Sequence, residues 1–199
     1  SYLEDQDFFR YSGIFRDVYL LSRCRDHVED IKITTDKNGI YCDLEHEIYD
    51  GDKIADMANP ILWNAEEPYL YTVVVKSGDE FIPQRVGIKE IAVSDKGEML
   101  INGVPVKLRG VNRHDTHPKN GYTMSEADID LDLKTMKKLN INAIRTSHYP
   151  PAPYFLEKCD EMGFYVIDET DIESHGFTNR NNGCSIYGRS ISHLCYLQH

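Results

Sequence analysis

Residues 142–150 read Asn142-Ala-Ile-Arg145-Thr-Ser-His148-Tyr-Pro150, and what precedes and follows this stretch decides the fold. Residues 142–147 read as a short strand that ends in polar groups. Before it lies a helical pattern over residues 126–139. Ser125 can cap it, Glu126, Asp128 and Asp130 suit its positive end, and Lys134, Lys137 and Lys138 suit its negative end. Ile129, Leu133 and Met136 share one face. After the stretch, residues 153–162 predict a second helix closed by Gly163, and residues 164–169 a further strand. With a strand at 106–111 the order is β-α-β-α-β. Parallel strands joined by helical crossovers belong to α/β sheets or (β/α)8 barrels, and both place their chemistry at the C-terminal strand ends.

The polar residues obey that rule. Asn112, Arg113 and His114 follow the first strand, Ser147 and His148 the second, and Asp168, Glu169, Glu173 and His175 the third. Arg145 and His148 at a strand end are costly to bury unless carboxylates or a polar ligand meet them. Glu173 and His175 are two residues apart, so in an extended loop both can reach one cation. A carboxylate oxygen with water suits Mg²⁺, and the imidazole would equally suit Mn²⁺. The alternative is a solvated acidic loop. No glycine-rich phosphate loop follows any of these strands, which disfavours a dinucleotide site.

Residues 1–92 carry a different period. Residues 15–21, 28–34, 40–49, 69–76 and 84–93 alternate β-branched and aromatic residues with polar ones, and turns such as Asp36-Lys-Asn-Gly39 and Asp50-Gly51 separate them. This predicts a β-sandwich, abbreviated relative to a seven-stranded immunoglobulin-like domain. A hairpin is predicted around Asn102-Gly103. Trp63 could stack on sugar, but within the sandwich section it reads as a packing residue. The chain of 199 residues is 41 % apolar, enough for packed cores, and its net charge of −11 repels nucleic acid. No run approaches the roughly 20 apolar residues of a membrane span, so a soluble protein is expected. Five widely spaced cysteines without a C-x-x-C pair read as free thiols of a reducing cytoplasm.

The segment from Asn142 to Pro150, continued by Phe155-Leu156, Asp160, Gly163 and Phe164-Tyr-Val-Ile167, resembles the signature of glycoside hydrolase family 2. Arg109-Gly-Val-Asn-Arg-His114 resembles the start of that family's barrel. Ser1-Tyr-Leu-Glu-Asp-Gln-Asp7 with Ser12-Gly-Ile-Phe-Arg-Asp17 resembles its large β-galactosidase branch. The resemblance implies a multidomain β plus α/β chain. Residues 1–23 would end a sugar-binding jelly roll, 24–93 would be an immunoglobulin-like β-sandwich, 94–176 the first three β/α units of a TIM (β/α)8 barrel, and 177–199 an atypical tail. It further implies that His114 and His148 contact sugar and transition state, that Arg145 supports the nucleophile, and that Glu173 and His175 bind Mg²⁺. A monovalent cation and a homo-oligomer belong to the intact enzyme it implies, with a β-galactoside as substrate.

Retaining hydrolysis needs two carboxyls roughly 5–5.5 Å apart, a nucleophile and an acid/base. In the family the acid/base glutamate follows an asparagine after the fourth barrel strand and the nucleophile follows the seventh. No Asn-Glu dipeptide occurs among these 199 residues, so the principal pair is expected outside the chain, which reads as an internal or truncated portion inactive alone. Three other readings stand beside this one: a β-glucuronidase or β-mannosidase of the same family, a non-catalytic carbohydrate-binding or assembly module, and a degenerate gene product without function.

Overall fold

The computed structural model describes Phe9, residues 12–170 and the backbone of residues 195–198. These fall into two compact units. One holds Phe9 and residues 12–17, 108–159, 164–170 and 195–198, and the other holds residues 18–107 and 160–163.

The second unit is all β. A hairpin of β1 (Ile33–Asp36) and β2 (Gly39–Cys42) turns where the Asn38 amide donates to Asp36 Oδ1 at 2.7 Å. Strands β3 (His46–Asp50), β4 (Lys53–Ile54), β5 (Tyr71–Ser77) and β6 (Glu80–Val86) form an antiparallel sheet in the order β4-β3-β5-β6. Alternation along β5 buries Tyr71, Val73 and Val75, which pack with Ile40, Val86 and Ile88. Each such burial is worth about 1.5–3 kcal/mol before chain entropy is counted. The hairpin and the sheet thus share one core, a two-layer β arrangement. A smaller sheet follows in the order β7-β8-β9, from β7 (Ile91–Val93), β8 (Met99–Ile101) and β9 (Val104–Pro105). Asn102 and Gly103 both take positive φ, 53° and 78°, as the predicted two-residue hairpin requires. The Asn102 side chain accepts from the Glu90 amide and donates to the Trp63 carbonyl, so the turn also anchors neighbouring chain.

Several strand expectations are corrected here. Residues 15–21 form no strand; Val18, Tyr19, Leu20 and Leu21 are exposed, and alternation without a partner strand leaves nothing to hold the ladder. Pairing starts at Ile33 rather than at 28. The run 40–49 breaks at a bend over Asp43 and Leu44. The run 84–93 breaks because β6 pairs with β5 whereas β7 pairs with β8. At the break, a Cβ on Gly87 would lie 2.7 Å from Trp63 Cγ, so only glycine lets the backbone pass the indole. Trp63 itself is 1 % exposed, with its Nε1 donating to the Asp160 carbonyl at 2.9 Å. It packs, as its position in the sandwich suggested.

The first unit is α/β. Strand β10 (Gly110–Arg113), helix α1 (Glu126–Lys138), β11 (Ala143–Thr146), helix α2 (Pro153–Met162) and β12 (Tyr165–Glu169) follow the predicted order. β10, β11 and β12 run parallel, with Asn112 opposite Arg145 and Arg145 opposite Ile167. Helix α1 buries Ile129 and Leu133, and α2 buries Phe155 and Cys159. The far edge of β12 is taken by β13 (Cys195–Gln198), which runs antiparallel to it. A (β/α)8 barrel would set a parallel strand there. Among the described residues, no helix is long and apolar enough to cross a membrane.

Candidate active-site rim

The parallel register brings the C-terminal ends of β10, β11 and β12 to one edge of the first unit. His114 follows β10, His148 follows β11, and Asp168 and Glu169 finish β12. Ile167 pairs with Arg145, so Glu169, two residues on, projects to the same side as Arg145, and Asp168 to the opposite side. The contacts agree. Arg145 Nε donates to Glu169 Oε1 as an ion pair. Glu169 Oε2 lies 3.0 Å from His148 Nδ1, and Arg145 Nη2 lies 3.2 Å from that same nitrogen. One ring nitrogen cannot donate and accept at once, and a lone pair facing a carboxylate would be repelled. Nδ1 therefore carries a proton toward Glu169, with Arg145 as a close cationic neighbour. His148 Nε2 is then an acceptor in the neutral ring and a donor in the cation. His114 stands edge-on to His148 with ring centroids 5.6 Å apart.

A second layer locks this edge. Thr146 Oγ1 donates to Asp168 Oδ1 at 2.8 Å and accepts from the Glu169 amide at 3.0 Å, tying the end of β12 to β11. The Ser147 amide lies 3.1 Å from the Arg113 carbonyl, its acceptor, and the Ser147–His148 peptide is cis. Arg113 is buried; it pairs with Asp115 and Asp132 and lies over the Phe155 ring. Asp115 Oδ2 accepts from Arg16 Nη2 and from the Ala152 amide, each at 3.3 Å, and Arg16 also donates to the Pro150 carbonyl at 2.8 Å. Burial, followed by the nearby Tyr122 and Asp115, pushes the Tyr149 phenol up to about 12, so it stays protonated.

The structure thus unites His114, Arg145 and His148 on one edge. Asp168 and Glu169 take distinct parts: Glu169 holds the arginine and the histidine, and Asp168 holds Thr146. Glu173 and His175 lie outside the described residues. Among the described residues, no group of three His, Cys, Asp or Glu side chains could hold a metal ion. With both Glu169 oxygens engaged, the carboxylate is an anchor rather than a nucleophile. The exposed part of the Arg145 guanidinium can meet a polyol or an anionic group, and the His114 and His148 rings stand beside it.

Residues 91–195, more than half the chain, match the TIM barrel domain of glycosyl hydrolases family 2, and residues 25–89 match Glycosyl hydrolases family 2. The chain belongs to glycosyl hydrolase family 2. This family 2 chain is 44 % identical to the β-galactosidase of Staphylococcus xylosus and 42 % identical to that of Actinobacillus pleuropneumoniae, each over 88 % of its own length. It spans 20 % of each of those relatives. Among solved structures, a Faecalibacterium prausnitzii β-glucuronidase is similar at 28 % identity and a TM-score of 0.63, covering 74 % of this chain and 28 % of that one. The likeness supports a β-sandwich joined to the start of a TIM barrel.

Sequence reasoning did not single out Phe9, Tyr149 or the Arg16–Asp115 pair. Phe9 packs edge-on to His114 at 5.7 Å, and Tyr149 lies 6.1 Å from His114. The Tyr149 signal was present in His148-Tyr149-Pro150, an aromatic fixed between a site histidine and a proline.

Proposed function

We propose that this chain supplies the arginine–histidine rim of a retaining β-galactosidase that hydrolyses terminal β-D-galactosides such as lactose. The observation that carries the reading is the convergence of His114, Arg145 and His148 at parallel strand ends, with Glu169 fixing two of the three. Arg145 would hold the nucleophilic carboxylate ionised, and the imidazoles would bind hydroxyls of the sugar as charge develops. In this reading the acid/base and the nucleophile would come from outside these 199 residues, which hold no Asn-Glu dipeptide. In the finer architecture we propose, residues 24–93 are an immunoglobulin-like sandwich, and residues 1–23 close a sugar-binding jelly roll. The similarity to β-galactosidases, at 42 % identity and above, favours galactoside over glucuronide.

The test is a chimera in which residues 91–195 replace the matching segment of the Staphylococcus xylosus β-galactosidase. We expect it to hydrolyse an aryl β-galactoside in preference to the β-glucuronide, and Arg145→Ala in it to lower kcat/KM roughly 100-fold. The 199-residue chain alone should give no turnover. A folded chimera that prefers the glucuronide, or that tolerates the substitution, would reject the reading.

For the metal, Glu173 and His175 are the donors we propose for Mg²⁺ or Mn²⁺, since a carboxylate and an imidazole two residues apart suit a hard or borderline cation completed by water. Such an ion, when bound, would tune the orientation and acidity of a neighbouring carboxylic acid. Calorimetric titration of the chain with Mg²⁺ checks this. Binding should weaken about tenfold or more in Glu173→Gln and in His175→Ala, and wild-type affinity in both would remove the assignment.

A further inference from the structure

Asp115 follows His114 directly and is 6 % exposed. Both oxygens of its carboxylate are engaged. Oδ1 accepts from Arg113 Nη1, in an ion pair whose guanidinium lies over the Phe155 ring of α2. Oδ2 accepts from Arg16 Nη2 and from the Ala152 amide, each at 3.3 Å. Ala152 stands immediately before α2, and the N-terminal end of a helix favours an anion. The backbone adds a further tie, because the Asp115 amide donates to the Tyr149 hydroxyl at 3.1 Å.

The partners of Asp115 converge on one loop. Tyr149, Pro150 and Ala152 lie between β11 and α2, in the segment that begins with Ser147 and His148. Arg16 donates to the Pro150 carbonyl at 2.8 Å as well as to Asp115, so its guanidinium spans from the carboxylate to the middle of the loop. The Ser147 amide donates to the Arg113 carbonyl at 3.1 Å. Residues on both sides of His148 are therefore fixed to the segment 113–115, which carries His114 at its centre. The two rings themselves meet edge-on at 5.6 Å, a soft contact. A buried carboxylate shared by two guanidiniums and an amide is charge-assisted and is the stronger restraint.

We propose that Asp115 is a positioning residue of the rim: through Arg16, the Ala152 amide and the Tyr149 hydroxyl it holds the loop of His148 against His114, so that the two imidazoles keep one mutual orientation. The proposal rests on the glycosidase reading for what the imidazoles do, and adds which buried group sets where they stand. Asparagine cannot take over the role. With its carbonyl oxygen turned to Arg113, its NH2 would face Arg16 and the Ala152 amide, donor against donor, and turned the other way it would face Arg113. Asp132 pairs with Arg113 from helix α1 at 3.1 Å, so its neutralisation tests the charge on Arg113 without removing any tie to the loop.

The experiment is nuclear Overhauser spectroscopy on the isotope-labelled 199-residue chain. It reads cross-peaks between ring protons of His114 and His148, with the methyl signals of Ile129 and Leu133 reporting the core. The cross-peaks are expected in wild type and in Asp132→Asn. They should be lost in Asp115→Asn and weakened in Arg16→Ala while the methyl signals hold. Cross-peaks absent from wild type, retained in both of those variants, or lost equally in Asp132→Asn would overturn the proposal. If Asp115→Asn also loses the core signals, the exposed Arg16 decides: weakened cross-peaks in Arg16→Ala uphold the proposal and wild-type cross-peaks overturn it. In the Staphylococcus xylosus chimera, Asp115→Asn should lower kcat/KM roughly tenfold, in kcat more than in KM. Unchanged kcat/KM in Asp115→Asn beside a damaged Arg145→Ala would overturn the positioning role and leave the glycosidase reading standing. An active Arg145→Ala chimera, together with cross-peaks lost in Asp115→Asn, would reject that reading and keep Asp115 as the group that places the rings.

Discussion

Glu169 and Lys89 show how a single side chain takes its character from what surrounds it. Glu169 has one oxygen on Arg145 and the other on His148, an arrangement that orients both partners. Removing either partner would leave a part-buried charge uncompensated. Lys89, 7 % exposed, sits with its ammonium 4.6 Å from the centre of the Trp63 ring, and burial depresses its pKa to about 8, with Asp160 opposing the shift. Between pH 8 and 10.5 the unfolded chain holds a proton that the folded chain has lost, so this group makes stability rise with pH across that window. The rise is at most about 3 kcal/mol. Urea midpoints at pH 7.5 and 9.5, both well below the titration of Tyr149, should diverge for wild type more than for Lys89→Met. Equal pH dependence in the two proteins would show that Lys89 keeps an ordinary pKa. His114, Arg145 and His148 were legible in the sequence because a strand end followed by charged residues is a local pattern. That a carboxylate of Asp168-Glu169 could pair with Arg145 was legible too, but not which one. Asp168 and Glu169 are chemically alike neighbours, and only the pairing of Ile167 with Arg145 decides which faces the arginine.

Among the elements, α1 shows the strongest agreement between local signal and structure. Ser125 Oγ accepts from the Asp128 amide, and Asp128 Oδ2 accepts from the Ser125 amide at 3.0 Å, a reciprocal cap. Hydrogen bonds from the Ser125 side chain, then its backbone, hold the Asp128 carboxyl below the usual carboxylate range. Asp128 also faces His117, so the start of α1 is tied to the loop that precedes it. Ser125→Ala should cost about 1 kcal/mol in chemical denaturation. A loss indistinguishable from zero would mean that the tertiary contacts of Ile129 and Leu133 alone set the start of the helix. The β elements were less legible. Alternation marks which residues can form a strand, but residues 15–21 lack a partner and stay exposed, while 40–49 and 84–93 break where the pairing changes.

For the whole molecule, the issue is what closes the parallel sheet. The β13 backbone pairs with β12 from Glu169 to Val166 and occupies the edge on which the rim carboxylates end. Ending the chain at residue 194 would bare that edge, and unpaired strand edges recruit other chains. Sedimentation should show concentration-dependent association of the truncated chain beyond that of the wild type. A truncated chain as monodisperse as the wild type would show that β13 is dispensable for edge protection. The sequence by itself determined the β-α-β-α-β order, the helix caps, the Asn102-Gly103 turn and the family, because each rests on residues within a few positions of one another. Tertiary structure alone decided the register that turns Glu169 toward Arg145, the antiparallel strand at the end of the sheet, and the contacts by which Asp115 holds the loop after β11. Those depend on contacts between residues far apart in the chain, and local physical chemistry leaves such pairings open.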